Sequence, residues 1–562
     1  MKTAIILGGG VAGLSAAHEL VKRGFKVKVY ETKSILGGKA RSFDVPDSNL
    51  PGFKPLPGEH GFRFFPKFYK HVTATMKEIP FKNKTVYDNL VDTTEIKIAR
   101  YGKKSFLLPA SLPTSLSEIK KYIERNSGVE LGLSNEEKDY FANRIWQLMS
   151  SCFERRKNEY ERVGWWEFVE ADRFSEAYKT FCAKGLTRTL VAARAEDIST
   201  KTGGDILLQL TFDVLKPGKS SDRILNGPTN QVWIDPWVEF LKKKGVEFYV
   251  NSKVISFETD NFDLITSVNI KNTENQSIQN IKGDVYLSAM PVEVMANLLN
   301  DEMLHIDPTL EYLKELKTHV SWMSGLQLYL KEDVPLNHGH TIYIDTPWAL
   351  TSISQAQFWK NYDWANHGDG TVKGILSIDI SDWFSSDELT EKTAFDWLKE
   401  KDGEYVIVKK VWEQLQKSLN IDGEVVLRDD MLHSWNLDPA IATGIPPINI
   451  EPLLVNNKNT WPLRPFAYTD ISNLFLASDY VKTNTDLATM EGANEAARRA
   501  VNAILSFTGV RAKRCKVWKL HEPWWLVFLR LHDRNRYNKG LPWNGKVPIS
   551  VSKLTKILSY FS

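Results

Sequence analysis

Cysteine is scarce in this chain: three residues among 562, at positions 152, 182 and 515. An odd count at such wide spacing supports neither a disulfide framework nor a cysteine-based zinc site, and it is the usage expected of a reducing, cytoplasmic compartment. No stretch approaches the ~18 apolar residues of a spanning helix. The first strand-like run begins at Thr3, so no secretory leader is expected ahead of it. Histidine is sparse as well, and His338 and His340 of "NHGH" have no further ligand at metal spacing. They read as a loop, and no metal is expected. Internal repeats and low-complexity linkers are missing; the polar stretch 260–280 reads as a hairpin-like excursion.

What is present is the composition of a packed, enzyme-sized body, 42% hydrophobic and 25% charged, ordinary for a globular protein. The length exceeds the ~250–300 residues at which a single core stops growing, so two folding units are expected. A net charge of +3 conceals an uneven distribution. Residues 511–562 hold twelve Lys or Arg against Glu522 and Asp533, a surplus of +10 that leaves −7 for the remainder. Such asymmetry points to an anionic partner or surface for the tail. Nothing in the sequence asks for a nucleic acid.

The N-terminal stretch "IILGGGVAGLSAAHELVKRGFKVKVYE" carries the first chemistry. Ala4 to Leu7 reads as a buried parallel strand, Val11 to Lys22 as a helix and Lys26 to Tyr30 as a second strand. Gly8 permits the tight turn, Gly10 lets a pyrophosphate approach the backbone, and Gly13 lets helix and strand pack closely, with Ala12 in the first helical turn. Glu31, followed by Thr32, ends the second strand where a carboxylate accepts hydrogen bonds from a ribose diol. This is a Rossmann-like dinucleotide site. An acid at this place disfavours a 2′-phosphate, leaving NAD and FAD open. No second glycine-rich strand–turn–helix is visible, so a separate nicotinamide site is not expected.

Further blocks choose between the two. "GGKARSF", Gly37 to Phe43, offers paired glycines with Lys39 and Arg41, and "NLFLASDYVKTNTDLATMEGANEAARRAV", Asn473 to Val501, reads as a strand and a helix rich in small residues. Together with the opening motif they resemble the FAD-dependent flavoproteins that join amine oxidases to carotenoid desaturases, and they look most like the plant-type phytoene and zeta-carotene desaturases and the hydroxysqualene dehydroxylases. The resemblance implies FAD as a held cofactor. It implies that Gly38, Lys39 and Arg41 pass over the pyrophosphate, that Asp479 binds the ribityl chain, and that Thr489, Met490 and Glu491 stand at the flavin end. In "NGPTNQVWIDPWVEFLKKKGVEFYVNSKVISFE", Asn226 to Glu258, it implies a turn, a helix and a strand ending near Val254, whose backbone would contact adenine. Ser478 stands where the family usually has glycine.

The expected architecture is α/β (α+β), a Rossmann-like FAD-binding domain interleaved with a substrate domain of mixed β-sheet plus helices. The expected FAD-binding parts are 1–75, 225–300 and 441–510. The insertions 76–224, expected to be helical, and 301–440, expected to supply the sheet, would form the substrate domain, with 511–562 as a basic aromatic extension. Strand-like runs "MSGLQLYLK" and "GILSIDISDW" mark the second insertion.

"GEHGFRFFPKFY", Gly58 to Tyr69, occupies the place that lies beside the flavin in the family. Glu59 and His60 are the candidates for proton handling, against the reading that both merely brace the loop. Arg63 could orient an anion or pair with Glu59. Arg188, Arg194, Glu196 and Asp197 read as a solvated helix face. The substrate implied is a long apolar isoprenoid or similar lipid, with electrons leaving the flavin to oxygen or a quinone. Rival expectations are an amine oxidase releasing peroxide, a redox-neutral isomerase, and a prenyl-binding escort protein without flavin chemistry. In the tail, Trp518, Trp524, Trp525, Phe528 and Leu529 interleave with Lys516, Lys519, Arg530 and Arg534. Two readings stay open there: contact with a membrane surface, or tryptophans packed on the body.

Overall fold

The computed structural model describes residues 1–110, 131–185, 187, 193–214, 220, 222–260, 263–387 and 390–545. Five strands form one parallel sheet: β1 (Thr3–Leu7), β2 (Lys26–Tyr30), β3 (Glu247–Tyr249), β4 (Val285–Ser288) and β5 (Leu474–Leu476), in the order β3-β2-β1-β4-β5. A parallel sheet covered on both faces needs continuous apolar strands, and Ala4 to Leu7 and Val285 to Leu287 are all fully buried. Helices α1 (Val11–Val21) and α2 (Met490–Thr508) pack together against the sheet. Small side chains allow that approach: Ala16 and Ala17 of α1, and Ala496, Ala497 and Ala500 of α2, are completely enclosed.

The strand Ser252–Thr259 opens a three-stranded antiparallel sheet with Ile265–Asn272 and Ile278–Ile281. Val254 therefore lies inside a strand rather than at its end. Its neighbour Ser252 donates its backbone N–H to the Glu31 carbonyl at 2.7 Å, which fixes this sheet beside the carboxyl end of β2.

A seven-stranded sheet forms the second body, in the order Leu432–Leu437, Ser324–Leu330, Gly374–Ile380, Leu350–Ser354, His340–Tyr343, Glu95–Arg100 and Lys103–Pro109. All neighbours are antiparallel except the parallel pair His340–Tyr343 with Glu95–Arg100. The helix Gly403–Leu419 covers one face through Ile407, Val411 and Leu415. Two expectations are corrected here. Segment 76–224 is not purely helical, because the hairpin Glu95–Pro109 leaves it to complete the sheet edge; Ile96 and Ile98 already alternate with polar neighbours. His340 is in a strand rather than a loop, its Nδ1 2.9 Å from Asp222 Oδ2.

The rest of the first insertion is helical, with Asn135–Ser150 and Thr200–Val214 around Leu148, Trp165, Phe168 and Tyr178. Arg194 and Asp197 sit in a turn before the second of these helices, 3.9 Å apart and exposed, rather than on a helix face; Arg188 lies outside the described residues. The chain beyond α2 packs on the body. Cys515 is buried, Trp518 stands edge-on to His71, and Leu526, just ahead of α3 (Val527–Tyr537), enters the helical core together with Leu529 of α3. Lys546, Lys553 and Lys556 lie outside the described residues. No helix among the described residues is long and apolar enough to cross a membrane.

Candidate functional site

Two structures meet where the nucleotide sheet faces the seven-stranded sheet. The first is the glycine turn between β1 and α1. Gly8 has φ +112°, and a Cβ there would stand 2.9 Å from the Ala289 carbonyl oxygen. At Gly13 a Cβ would stand 1.9 Å from the Gly8 carbonyl oxygen, so any side chain would push α1 off the turn. Gly10 is the N-cap of α1; no side chain caps this end, and its first turn holds no acid. The N–H groups at this end are thus set to receive a phosphate.

Glu31 accepts the Gly9 N–H at 2.7 Å and the Lys33 N–H at 2.9 Å, so its carboxylate is fixed at the rim of the turn. Thr32 is exposed beside it, and Ala12 is buried beneath. The paired glycines dock onto the same turn: Gly37 donates its N–H to the Gly9 carbonyl at 3.0 Å, and a Cβ on Gly38, whose φ is +57°, would stand 2.9 Å from the Gly10 Cα. A cradle made of backbone, with an uncapped helix end and an acid one strand away, fits a dinucleotide.

Lys39 and Arg41 are engaged with protein carboxylates. Lys39 Nζ is 3.0 Å from Glu293 Oε1. Arg41 grips Glu451 with two nitrogens at 3.0 and 2.7 Å and also donates to the Gly38 carbonyl. Burial pushes the Glu451 carboxyl up, but Arg41, His60 and Lys33 outweigh it and hold it at about 2.

At the far end of the chain, Asp479 follows β5, with Ser478 Oγ donating to it at 3.2 Å and its carbonyl accepting from Arg464. Thr489 is the N-cap of α2 and accepts the Gly492 N–H at 3.1 Å, while Met490 starts the helix half-buried. Glu491 turns toward the preceding helix of the fold's first segment. Its buried carboxylate accepts the N–H groups of Lys70, His71 and Val72, so it caps the helix His71–Met76.

The second structure is a group of buried charges under the loop that follows Pro57–Glu59, a strand paired with Ser42–Asp44 through Gly58 and Phe43. Gly325 donates to the His60 carbonyl at 3.1 Å, and Gln327 Oε1 accepts the Glu59 N–H at 3.2 Å, which ties the loop to the large sheet. Glu59 accepts the Thr229 N–H at 2.9 Å and its hydroxyl at 2.8 Å. Desolvation raises its pKa to about 7, only partly opposed by Arg63 and Thr229. Asp379, on the adjoining strand, is also raised to about 7 by burial, with Asp438 and Glu59 adding to the rise and Arg63 opposing it.

His60 Nδ1 lies 2.6 Å from Asp438 Oδ2 and 3.7 Å from Glu451 Oε2. Arg63 donates to the carbonyls of Gly61 and Phe62 at 2.7 and 2.9 Å and also to that of Lys39. Two carboxyls poised near neutrality beside a histidine and a guanidinium can hold or move protons. Sequence reading found Glu59, His60 and Arg63 but missed Thr229, Asp379, Asp438 and Glu451. Asp379 had a signal, an acid inside the apolar run "GILSIDI". The other three had none.

Comparison with known proteins bears on this geometry. The 15-cis-phytoene desaturase of Synechococcus elongatus is 22% identical over 89% of this chain and 95% of its own length. The zeta-carotene desaturase of a Synechocystis strain is 23% identical over 90% and 97%. Among solved structures, cyclohexylamine oxidase from Brevibacterium oxydans covers 90% of this chain and 99% of its own with TM-score 0.57. A putrescine oxidase bound to putrescine does so with the same score. At 13% identity these two share the fold. The model of the flavin containing amine oxidoreductases matches residues 11–505, from the first turn of α1 almost to the end of α2. The chain therefore belongs to that family and is an FAD-dependent oxidoreductase.

Proposed function

We propose that the protein withdraws hydrogen from a long apolar, isoprenoid-like substrate in a desaturase or dehydrogenase reaction. The observation that carries this reading is end-to-end similarity to two carotenoid desaturases, across 95% and 97% of their lengths. FAD, when bound, supplies the hydride acceptor. In this reading the α1 N-terminus, with Gly8, Gly10, Ala12 and Gly13, receives the pyrophosphate, flanked by Gly38, Lys39 and Arg41. Glu31 and Thr32 take the ribose, and the Val254 backbone takes the adenine. Asp479 takes the ribityl chain, with Thr489, Met490 and Gly58 at the ring. Segments 1–75, 225–300 and 441–510 serve the cofactor; 76–224 and 301–440 serve the substrate.

The chain's own part is placement and proton control. Glu59 and His60 are the proposed proton-handling groups: Thr229 orients the Glu59 carboxyl, and Asp438 orients the His60 ring. The large sheet and its covering loop keep both out of bulk water, where placing a C–H bond counts for more than a reactive side chain. Electrons then leave to oxygen or a quinone.

The test is anaerobic mixing of the FAD-loaded protein with detergent-dispersed phytoene and other polyprenyl hydrocarbons. The flavin absorbance is expected to bleach, and a quinone to restore it. Amine oxidation is the second reading, favoured by the shared fold with putrescine and cyclohexylamine oxidases. Peroxide release from such amines, with no bleaching by isoprenoids, would overturn the desaturase reading.

A further inference from the structure

We infer that the C-terminal extension docks the enzyme on an anionic lipid surface through the outer stripe of α3. This inference concerns where the enzyme works and stands apart from the identity of its substrate. The family match ends at residue 505, so the extension is an addition to the family body.

The inner side of the extension is committed to the body. Leu526 and Leu529 are 0% and 3% exposed, and Asp533 is buried against Arg155 at 3.0 Å while accepting the Cys152 N–H. The outer side differs. Trp524, Val527 and Leu531 are 52%, 46% and 49% exposed. Steps of three and four residues place them on one line along the 3-10 turn Trp524–Leu526 and the helix that follows it, and Arg534, a further three residues on, 48% exposed and paired with Glu154 of the body, continues it. Single exposed apolar residues need no explanation; an aligned tryptophan, valine and leucine ending in a guanidinium is the pattern of an interfacial helix.

The distribution of charge names the partner. Both acids of the extension point inward, Asp533 to Arg155 and Glu522 to Arg156 and Arg530. Seven Lys or Arg of its described residues, among them Lys516, Lys519 and Arg534, are exposed, and no exposed acid accompanies them there. An apolar ridge on a segment whose exposed charges are all cationic, of which Arg534 is paired with Glu154 of the body, suits acyl chains beneath anionic headgroups. A second copy of this chain, bringing the same cations, would be repelled.

The test uses full-length, FAD-loaded protein and vesicles of phosphatidylcholine with or without phosphatidylglycerol. Sedimentation should show binding to the anionic vesicles that weakens as salt is raised. The combined variant Trp524→Ser, Val527→Ser, Leu531→Ser should lower the partition coefficient about tenfold or more, with FAD content and melting temperature unchanged. Lys516→Gln with Lys519→Gln should reduce the salt-sensitive part. The inference fails if wild type ignores anionic vesicles, or if the triple variant partitions as wild type. It also fails if the ridge proves to pair two copies, read as concentration-dependent dimerisation that the triple variant abolishes. Turnover of detergent-dispersed substrate by the triple variant stays at the wild-type level, which keeps this test separate from that of the substrate class.

Discussion

The glycine turn at the head of α1 and the charge cluster under the 57–63 loop are neighbours, bridged by Arg41, which touches both the Gly38 carbonyl and Glu451. They are built from opposite materials. The turn is almost all backbone and works by leaving room; the cluster is almost all side-chain charge and works by balance. Volume should therefore break the first and pH the second.

The largest effect is expected at the turn. Gly13→Ala puts a methyl 1.9 Å from the Gly8 carbonyl oxygen, and purified protein should retain essentially no FAD, measured as the flavin-to-protein absorbance ratio. A yellow Gly13→Ala protein would show that the turn is not the close-packed element described. Next comes the bridge. Arg41→Met leaves Glu451 buried without its bidentate partner, and denaturant unfolding should report a loss of about 3–5 kcal/mol; a change below about 1 kcal/mol would mean that Lys33 and His60 suffice.

Within the cluster the sign of the pH dependence is fixed. The Glu59 and Asp379 carboxyls titrate at about 7 in the folded chain, against ordinary values of 4.5 and 3.8. The folded state thus holds their protons more tightly than the unfolded state. Its advantage is complete below the ordinary values and is lost as pH rises toward 7. Glu59→Gln should flatten stability against pH between 4.5 and 7, by on the order of 3 kcal/mol. Parallel wild-type and variant curves would refute the raised carboxyl. The smallest effect belongs to the far end of the proposed cofactor site, where Thr489→Ala removes the α2 cap at about 1 kcal/mol, read as a shift in melting temperature.

The same contrast explains how much was legible in the sequence. Gly8, Gly10, Gly13 and Glu31 lie within one βαβ unit, so local spacing exposes them. The strands of the parallel sheet announce themselves as apolar runs, as at Ala4 to Leu7. The cluster is assembled from Glu59, Thr229, Asp379, Asp438 and Glu451, which are separated by tens to hundreds of residues and joined only when the large sheet closes on the loop. No periodicity marks Asp438 or Glu451, each of which stands among ordinary loop residues. Glu491 shows the converse: its motif position is plain, yet its carboxylate serves the neighbouring helix, because a buried acid goes where unpaired N–H groups are. In the tail, alternating tryptophans and cations gave no sign of which side faces inward. Asp533 decides that by reaching Arg155.

One feature of the topology bears on how the protein is made. The β-α-β unit proposed to grip a nucleotide is synthesised long before β5 and α2, which begin at residues 474 and 490. Until they emerge, the buried alanines of α1 have no helix to lie against. In the proposed site, stable capture of the yellow cofactor awaits α2, and a chain stopped upstream of it is expected to be colourless however intact its first half.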